Sequence, residues 1–294
     1  MKSKNLVLGL TFSILTFTSC TNDAEPAATE TMVTTNEVAA TQKMDNAVDD
    51  IAVIVDDQYE LTEGTSTGRT IANYYSILPT CASISDLGST STVRKITITF
   101  GNPNTPACLF RGHLLKGQII LTRTIGTTFP KIMTVTFNNF YINDNKLEGT
   151  STWKREMIGT GTELHPKTTF SMNAMTWTTS EGIYTRNGER IREMTAGFAT
   201  RLSPIDDIFS TYGTFTTTHP NGSNYTWLVE KGTALIHKTA CSLQTAPMPF
   251  PVSGKLKISK NSHYAIIEYG NGECDNLAML AIDGGTAKPI ILGN

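Results

Sequence analysis

From about residue 64 onward the hydrophobic and polar positions alternate in short runs separated by turn residues. Between Arg94 and Phe100, Ile96, Ile98 and Phe100 fall on one side of the period and Lys95, Thr97 and Thr99 on the other. Val252, Leu256 and Ile258 stand against Lys255, Lys257 and Ser259 in the same way. A period of two with one apolar side is the signature of a half-buried antiparallel strand. About a dozen such runs are predicted as strands, near 80–86, 93–100, 114–124, 131–142, 146–158, 167–178, 182–197, 208–218, 224–237, 252–259, 263–269 and 276–283. Asn143-Asp144-Asn145, Asn187-Gly188, Asn221-Gly222 and Gly270-Asn271-Gly272 supply the positive-φ residues that hairpins require. Several runs carry apolar residues on both sides. In 131–142, Val135, Phe137 and Tyr141 oppose Ile132, Phe140 and Ile142, so stacked sheets, or a sheet also covered by a helix, are expected.

Upstream of this texture the period changes to 3.6. Met44, Ala47, Val48, Ile51, Ile54 and Val55 recur at spacings of three and four, with Asp and Asn on the other side and Asn36 as a cap. One amphipathic helix is predicted over 36–60. Asp56 and Asp57 near its C-terminus oppose the macrodipole, so the helix needs its apolar face docked on the body. The predicted fold is all-β, a mainly antiparallel meander in stacked or curved sheets over 61–294, with this single N-terminal helix.

The first 19 residues have a different logic. Lys2 and Lys4 precede the apolar stretch Leu6 to Phe17, then Thr18 and Ser19 lead into Cys20. About 12 apolar residues are too few for the roughly 20 of a spanning helix and match a signal peptide. Phe17-Thr18-Ser19-Cys20 resembles a bacterial lipobox, which makes Cys20 an acylated anchor; two or three chains are needed for stable attachment, since one binds only marginally. The membrane is then a partner through the N-terminal acyl chains, and the expected location is the outer membrane, facing the periplasm or the surface. Residues 20–35, rich in Thr, Glu, Ala and Asn without a period, read as a flexible acidic tether.

Charge sharpens this division. The 294 residues carry 24 basic and 26 acidic side chains and 39% apolar residues, which excludes a wholly disordered chain and the basic footprint of a nucleic-acid binder. Ten of the acids lie within residues 20–60, beside a single base, Lys43. The rest of the chain holds 16 acids and, outside the first 19 residues, 21 bases. An acidic leader on a mildly basic body suits a tether that avoids anionic headgroups.

Apart from Cys20 there are four cysteines, an even number that suggests two disulfides in an exported protein. Three pairings are open, and an internal echo distinguishes them. Cys81, the strand Ile96-Thr97-Ile98-Thr99-Phe100, Gly101-Asn102 and Cys108 parallel Cys241, Ala265-Ile266-Ile267-Glu268-Tyr269, Gly270-Asn271 and Cys274. The echo pairs Cys81 with Cys108 and Cys241 with Cys274. The second unit, Tyr269-Gly270-Asn271-Gly272-Glu273-Cys274-Asp275-Asn276, resembles the YGxGxCDN element of a family of uncharacterised Bacteroidota cell-envelope lipoproteins. Arg111, Lys116, Gly117 and Ile119, and the stretch Thr136 to Asn143 followed by Lys146 to Thr150, are similar to other parts of that family over roughly 36–285. The resemblance implies an envelope location and no activity or ligand.

No GxSxG, HExxH, P-loop or helix-capped GxGxxG pattern is present. His113, His165, His219, His237 and His263 show no metal-ligand spacing, and neither a metal nor another cofactor is expected. Glu148, Glu156, Glu193 and Glu268 each have a basic neighbour and read as solvated ion pairs rather than a glycosidase pair. Trp153, Trp177 and Trp227, with Tyr184, Tyr212 and Tyr225, lie on predicted strands; they read first as core, and otherwise as a stacking platform for sugar rings or the lining of an apolar groove. The function expected is that of a lipid-anchored, non-catalytic binding or structural protein of the bacterial envelope. A glycan-binding surface lipoprotein and a carrier of a lipid or other hydrophobic ligand are the alternatives.

Overall fold

The computed structural model describes residues 32–66, 76–101, 106–200 and 203–293. The expected signal peptide, Cys20 and all of the tether before Met32 lie outside the described residues. One long helix, α1 (Thr35–Ser66), is followed by fifteen strands. They are β1 (Ala82–Ser85), β2 (Val93–Phe100), β3 (Cys108–Phe110), β4 (His113–Thr124), β5 (Lys131–Ile142), β6 (Asn145–Ile158), β7 (His165–Thr179) and β8 (Gly182–Ala196). Then come β9 (Ile208–Thr218), β10 (Asn224–Val229), β11 (Leu235–Lys238), the single helical turn α2 (Thr239–Ser242), β12 (Gly254–Lys260), β13 (His263–Tyr269), β14 (Leu277–Ile282) and β15 (Lys288–Ile291).

All the strands belong to one antiparallel sheet. Its order is β1-β2-β4-β5-β6-β7-β8-β9-β10-β12-β13-β14-β15, with β3 added to β4 and β11 to β9. This is the expected meander, but as a single curved layer rather than stacked sheets. Side chains from β4 to β13 reach the same helix: His113 contacts Asp50, and Tyr269 accepts a hydrogen bond from Gln42 at 3.4 Å. Eight strand spacings would span about 38 Å if flat, against a helix about 10–12 Å across. The sheet therefore curls around α1.

Bulges and glycines make that curl and also explain the apparent two-sided burial. The register of β5 against β6 shifts between Thr136 and Phe140, where Asn139 has φ 45°. A bulge adds one residue and swaps the face of every later position in the strand. Met133 and Val135 before it, and Phe140 and Ile142 after it, all point inward and are buried. The same happens in β7 at Ala174, so Phe170 and Met172 share a face with Met175 and Trp177. Opposite the first bulge sits Gly117, with φ +90°, where a Cβ would overlap the Asn139 carbonyl oxygen. Asn187-Gly188, expected as a turn, instead lies inside β8. Gly188 is left-handed at φ +135°, and the Asn187 Oδ1 accepts the bulge N–H of Ala174 at 2.7 Å, a donor that the ladder leaves over.

The helix begins one residue before the predicted start and ends six beyond the predicted end. Thr34, not Asn36, is its cap: Glu37 N–H donates to Thr34 Oγ1 at 3.3 Å, and Thr34 N–H donates to Glu37 Oε2 at 2.7 Å, a capping box. The predicted apolar positions are buried, Ile54 and Val55 completely. The other side departs from expectation, because Asp45, Asp49, Asp50 and Asp57 are buried too. A helix wrapped by a sheet on most sides has no water-facing stripe for its acids.

Candidate functional site

The acids of α1 are matched by bases on the inner face of the sheet. Asp45, Asp49, Asp56 and Glu60 are spaced four, seven and four apart, which places them along one side of the helix. Along β8, Arg186, Arg190 and Arg192 share the inward face, because side chains alternate with period two. Arg186 meets Asp45 at 2.6 Å and Arg190 meets Asp49 at 2.9 Å. Arg192 pairs with Asp56, which also holds Arg155 of β6 at 3.2 Å, and Arg155 in turn meets Glu60. Arg111, in the turn between β3 and β4, binds Asp50 at 3.1 Å, and His113 shares the same carboxylate. At the helix start Glu37 takes Lys260 at 3.0 Å and the Tyr225 hydroxyl. Acids that composition placed in an acidic leader are thus intramolecular counterions.

Burial and these neighbours divide the titrations. Burial pushes the carboxyl of Asp45 up, outweighing Arg186 and Arg190. For Asp49 burial acts in the same direction but is overcome by Arg190, His237, Arg111 and Arg192, and its pKa falls. His237 is driven down to about 4 by burial, with Arg190, Arg192 and Arg111 adding to it against Asp49, so its ring is neutral at pH 7. Asp207 is raised to about 6, again by burial.

Midway along this ladder the packing opens. A cavity of about 330 Å³ lies between the helix and two stretches of chain. One wall is Ile77 to Thr80 with Leu109, Phe110 and Arg111; the other is His237 to Thr239 with Ser242 and Leu243; Asp49, Val53 and Arg192 form the back. Cys81 and Cys108 adjoin Thr80 and Leu109 of the first wall and Cys241 adjoins Ser242 of the second; Cys81 pairs with Cys108 and Cys241 with Cys274 at disulfide distance, as the internal echo predicts. Each Cys unit therefore holds one wall. Arg111 joins them across the gap, donating to Ser242 Oγ at 2.9 Å and to the Pro249 carbonyl at 3.4 Å. On the second wall, Lys238 Nζ donates to the Gly272 carbonyl at 2.6 Å, inside the Tyr269 to Asn276 element.

The lining is mixed in chemistry. Val53, Ile77, Leu78, Leu109, Phe110 and Leu243 give both walls and the back apolar surface, and Leu109 and Leu243 are exposed at its edge. Arg111, Arg192, Lys238, Thr239 and Ser242 bring donors among them. Arg192 also lines a smaller void of about 60 Å³ beside the first. Its side chain is 6% exposed and lies 3.4 Å from the Phe209 ring centre; one guanidinium nitrogen serves Asp56, and among the described residues no acceptor meets the other two. Among the described residues no group of three or more His, Cys, Asp or Glu is arranged to hold a metal.

The six aromatic residues singled out as a platform do not form one. Trp153, Trp177, Trp227, Tyr184 and Tyr225 are buried, and Tyr212 lies half-buried on the opposite face of its strand. Trp153 stacks on Phe170 at 4.7 Å and Trp177 pairs across strands with Tyr184. The β8 arginines cover other rings, Arg190 over Trp227 at 4.9 Å and Arg186 over Phe215 at 5.2 Å. An inward face that must both fill the concave side of the sheet and carry guanidinium groups uses aromatics for both. Of the four glutamates read as ion-paired, Glu148 meets Lys146 at 2.7 Å, Glu156 meets Lys154 at 2.8 Å and Glu268 meets Lys255 at 3.2 Å. Glu193 departs from its sequence neighbour: Arg192 turns inward and Glu193 takes His165 at 3.2 Å.

Nothing in the local sequence singles out Asp49, Arg111, Arg192 and His237 as a group. Two signals were present: the four-seven-four spacing of the helix acids, and arginine at even positions of β8. Compared with protein-family models, with curated proteins and with solved structures, the chain matches none of them.

Proposed function

We propose that the protein is a lipid-anchored, non-catalytic binding protein of the bacterial envelope that holds a small ligand in the cavity between its two Cys units. The observation that carries this reading is the cavity itself. In an interior where helix and sheet are packed and charge-paired along most of their length, about 330 Å³ is left open, which reaches the size range of ligand sites. A purely structural role needs no such space. The walls are stapled and cross-linked by Arg111, so the space is pre-formed and a ligand need not order it. Burial of the three tryptophans removes the exposed row on which a glycan platform depends, and favours a ligand held between helix and sheet. Attachment through Cys20 and residence at the outer membrane rest on the sequence of residues 1–20.

Native mass spectrometry of protein extracted gently from envelopes tests the binding reading. A bound mass is expected on the wild-type chain and absent from Thr80→Trp, which places an indole at the cavity edge. An adduct-free wild-type spectrum, or equal occupancy in both chains, overturns the assignment of the cavity as a ligand site. Cys20→Ser tests the anchor separately: the chain is expected to move from washed envelopes to the soluble fraction, and retention in the envelopes defeats the lipid attachment.

A further inference from the structure

We infer that a second ligand site, for the primary ammonium group of a small organic cation, lies where the first turn of α1 meets the β7–β8 and β9–β10 turns. A cavity of about 260 Å³ opens there. Asn36 and Glu37 of the helix, Glu181 and Tyr184 beside the first of these turns, and His219 and Asn221 in the second line it. From Glu37 to Val53 the helix rises about 24 Å, so this site is separate from the cavity between the Cys units. Its walls are in place before a ligand arrives. Gly182 has φ +127°, and a Cβ there would lie 2.8 Å from Pro220, so the two turns pack directly on each other. Within the second turn Gly222 N–H donates to the His219 carbonyl and Ser223 N–H to Asn221 Oδ1, both at 2.9 Å.

What the site lacks is a donor. His219 is 6% exposed, its ring is stacked on Tyr225 at 3.9 Å, and its Nε2 has no hydrogen-bond partner among the described residues. Burial, with Lys260 and Arg186 adding to it against Glu37 and Glu181, lowers its pKa below the ordinary 6.5, so the ring is neutral at pH 7 and keeps a lone pair. A buried polar ring left unpaired costs free energy that a ligand hydrogen bond recovers. The charges fix the sign of that ligand. Glu37 and Glu181 line the cavity and no basic side chain does. Glu37 is answered by Lys260 at 3.0 Å, and Arg186, the other base whose field reaches His219, by Asp45 at 2.6 Å. Glu181 accepts the Tyr184 hydroxyl at 2.8 Å and pairs with no described cation. The N-terminus of α1 adds about half a positive charge, which leaves the balance negative. A carboxylate would meet Glu181 as a like charge, whereas a primary ammonium brings one positive charge and three donors for the carboxylate, the imidazole lone pair and an asparagine oxygen.

NMR titration of the full chain carrying Cys20→Ser with butylammonium, 1-butanol and butyrate at low ionic strength tests the headgroup, and the His219 ring and Asn221 amide resonances locate it. Butylammonium is expected to shift both saturably and to bind about tenfold more tightly than butanol, the effect of one charge-assisted hydrogen bond, with butyrate weaker than either. Glu181→Gln, at an exposed position, keeps an acceptor for Tyr184 and is expected to remove that preference while the spectrum stays that of the folded chain. Butanol or butyrate binding as tightly as butylammonium overturns the ammonium, and so does a preference that survives Glu181→Gln. No shift of these resonances with any of the three overturns the site. Thr80→Trp, at the edge of the other cavity, is expected to leave the butylammonium titration unchanged, so the two sites stand or fall separately.

Discussion

Arg190 of β8 and Asp49 of α1 meet at 2.9 Å with the arginine side chain wholly buried, and this contact joins the two halves of the molecule's charge distribution. The helix supplies the acids and the sheet supplies the bases, so neither can be buried without the other.

Removing one partner should therefore cost far more than removing both. Arg190→Ala leaves a buried carboxylate without its main counterion, and a loss of about 3–5 kcal/mol in urea-unfolding free energy is expected. Asp49→Leu combined with Arg190→Met should fall within about 2 kcal/mol of the parent, since apolar side chains of similar size avoid the desolvation penalty. A double variant as unstable as the single one contradicts this account of the ladder.

Acid should destabilise the fold through His237, and Asp207 should oppose that effect. The folded-state pKa of His237 is depressed to about 4 from an ordinary 6.5, so between those limits the unfolded chain binds the extra proton and stability falls as pH falls. Asp207 is raised from 3.8 to about 6, so between those limits the folded chain holds the extra proton and stability rises as pH falls. His237→Gln should flatten the loss between pH 6.5 and 4, and Asp207→Asn should steepen it. Chemical denaturation at several pH values across this window reads both slopes; parallel curves for the two variants would be inconsistent with the assignment.

Curvature of the sheet depends on glycine at the β8 kink. At Gly188 a Cβ would overlap the Thr214 carbonyl oxygen and lie 2.8 Å from Phe215 Cα, on backbone at φ +135°. Gly188→Ala is expected to cost on the order of 3 kcal/mol. Gly232→Ala, with nothing within 4 Å of the new methyl, should change stability by less than about 0.5 kcal/mol. Equal midpoints in thermal melts for the two variants would show that the kink tolerates a side chain.

The second cysteine pair closes a sequence separation of 33 residues around one cavity wall. Replacing both Cys241 and Cys274 by serine should lower stability by about 3–4 kcal/mol through loop-closure entropy. The check is a denaturant titration of parent and variant under non-reducing conditions. Reductant should bring the parent down toward the variant; a parent indifferent to reductant would count against an intact bridge.

Local pattern was enough to locate much of this architecture. The limits of β2 and β5 coincide with the alternating runs, because a strand buried on one face writes its period into the sequence. The run at 224–237 is broken into β10 and β11 by the turn Lys231–Thr233, and the three- and four-residue strands β3 and β15 are too short to show a period. Apolar residues on both sides of 131–142 suggested two covered faces; a bulge at Asn139 reverses the phase and puts Val135, Phe140 and Ile142 on one, while Ile132 is exposed. The candidate site was much less legible, since its residues come from α1, the β3–β4 turn, β8 and β11 and none is marked by its neighbours in the chain.

Taken alone, the sequence determined where helix and strands run, which cysteines echo one another, and that acids gather in one segment and bases in the rest. Tertiary structure decided which face of each strand is inside. On local chemistry alone Arg186, Arg190 and Arg192 would belong to the solvent side of β8, because a lone arginine is too costly to bury. Once the sheet curls around α1 each meets a carboxylate, and the same positions become interior. That reversal depends on pairing between residues more than 130 positions apart, which no local period encodes.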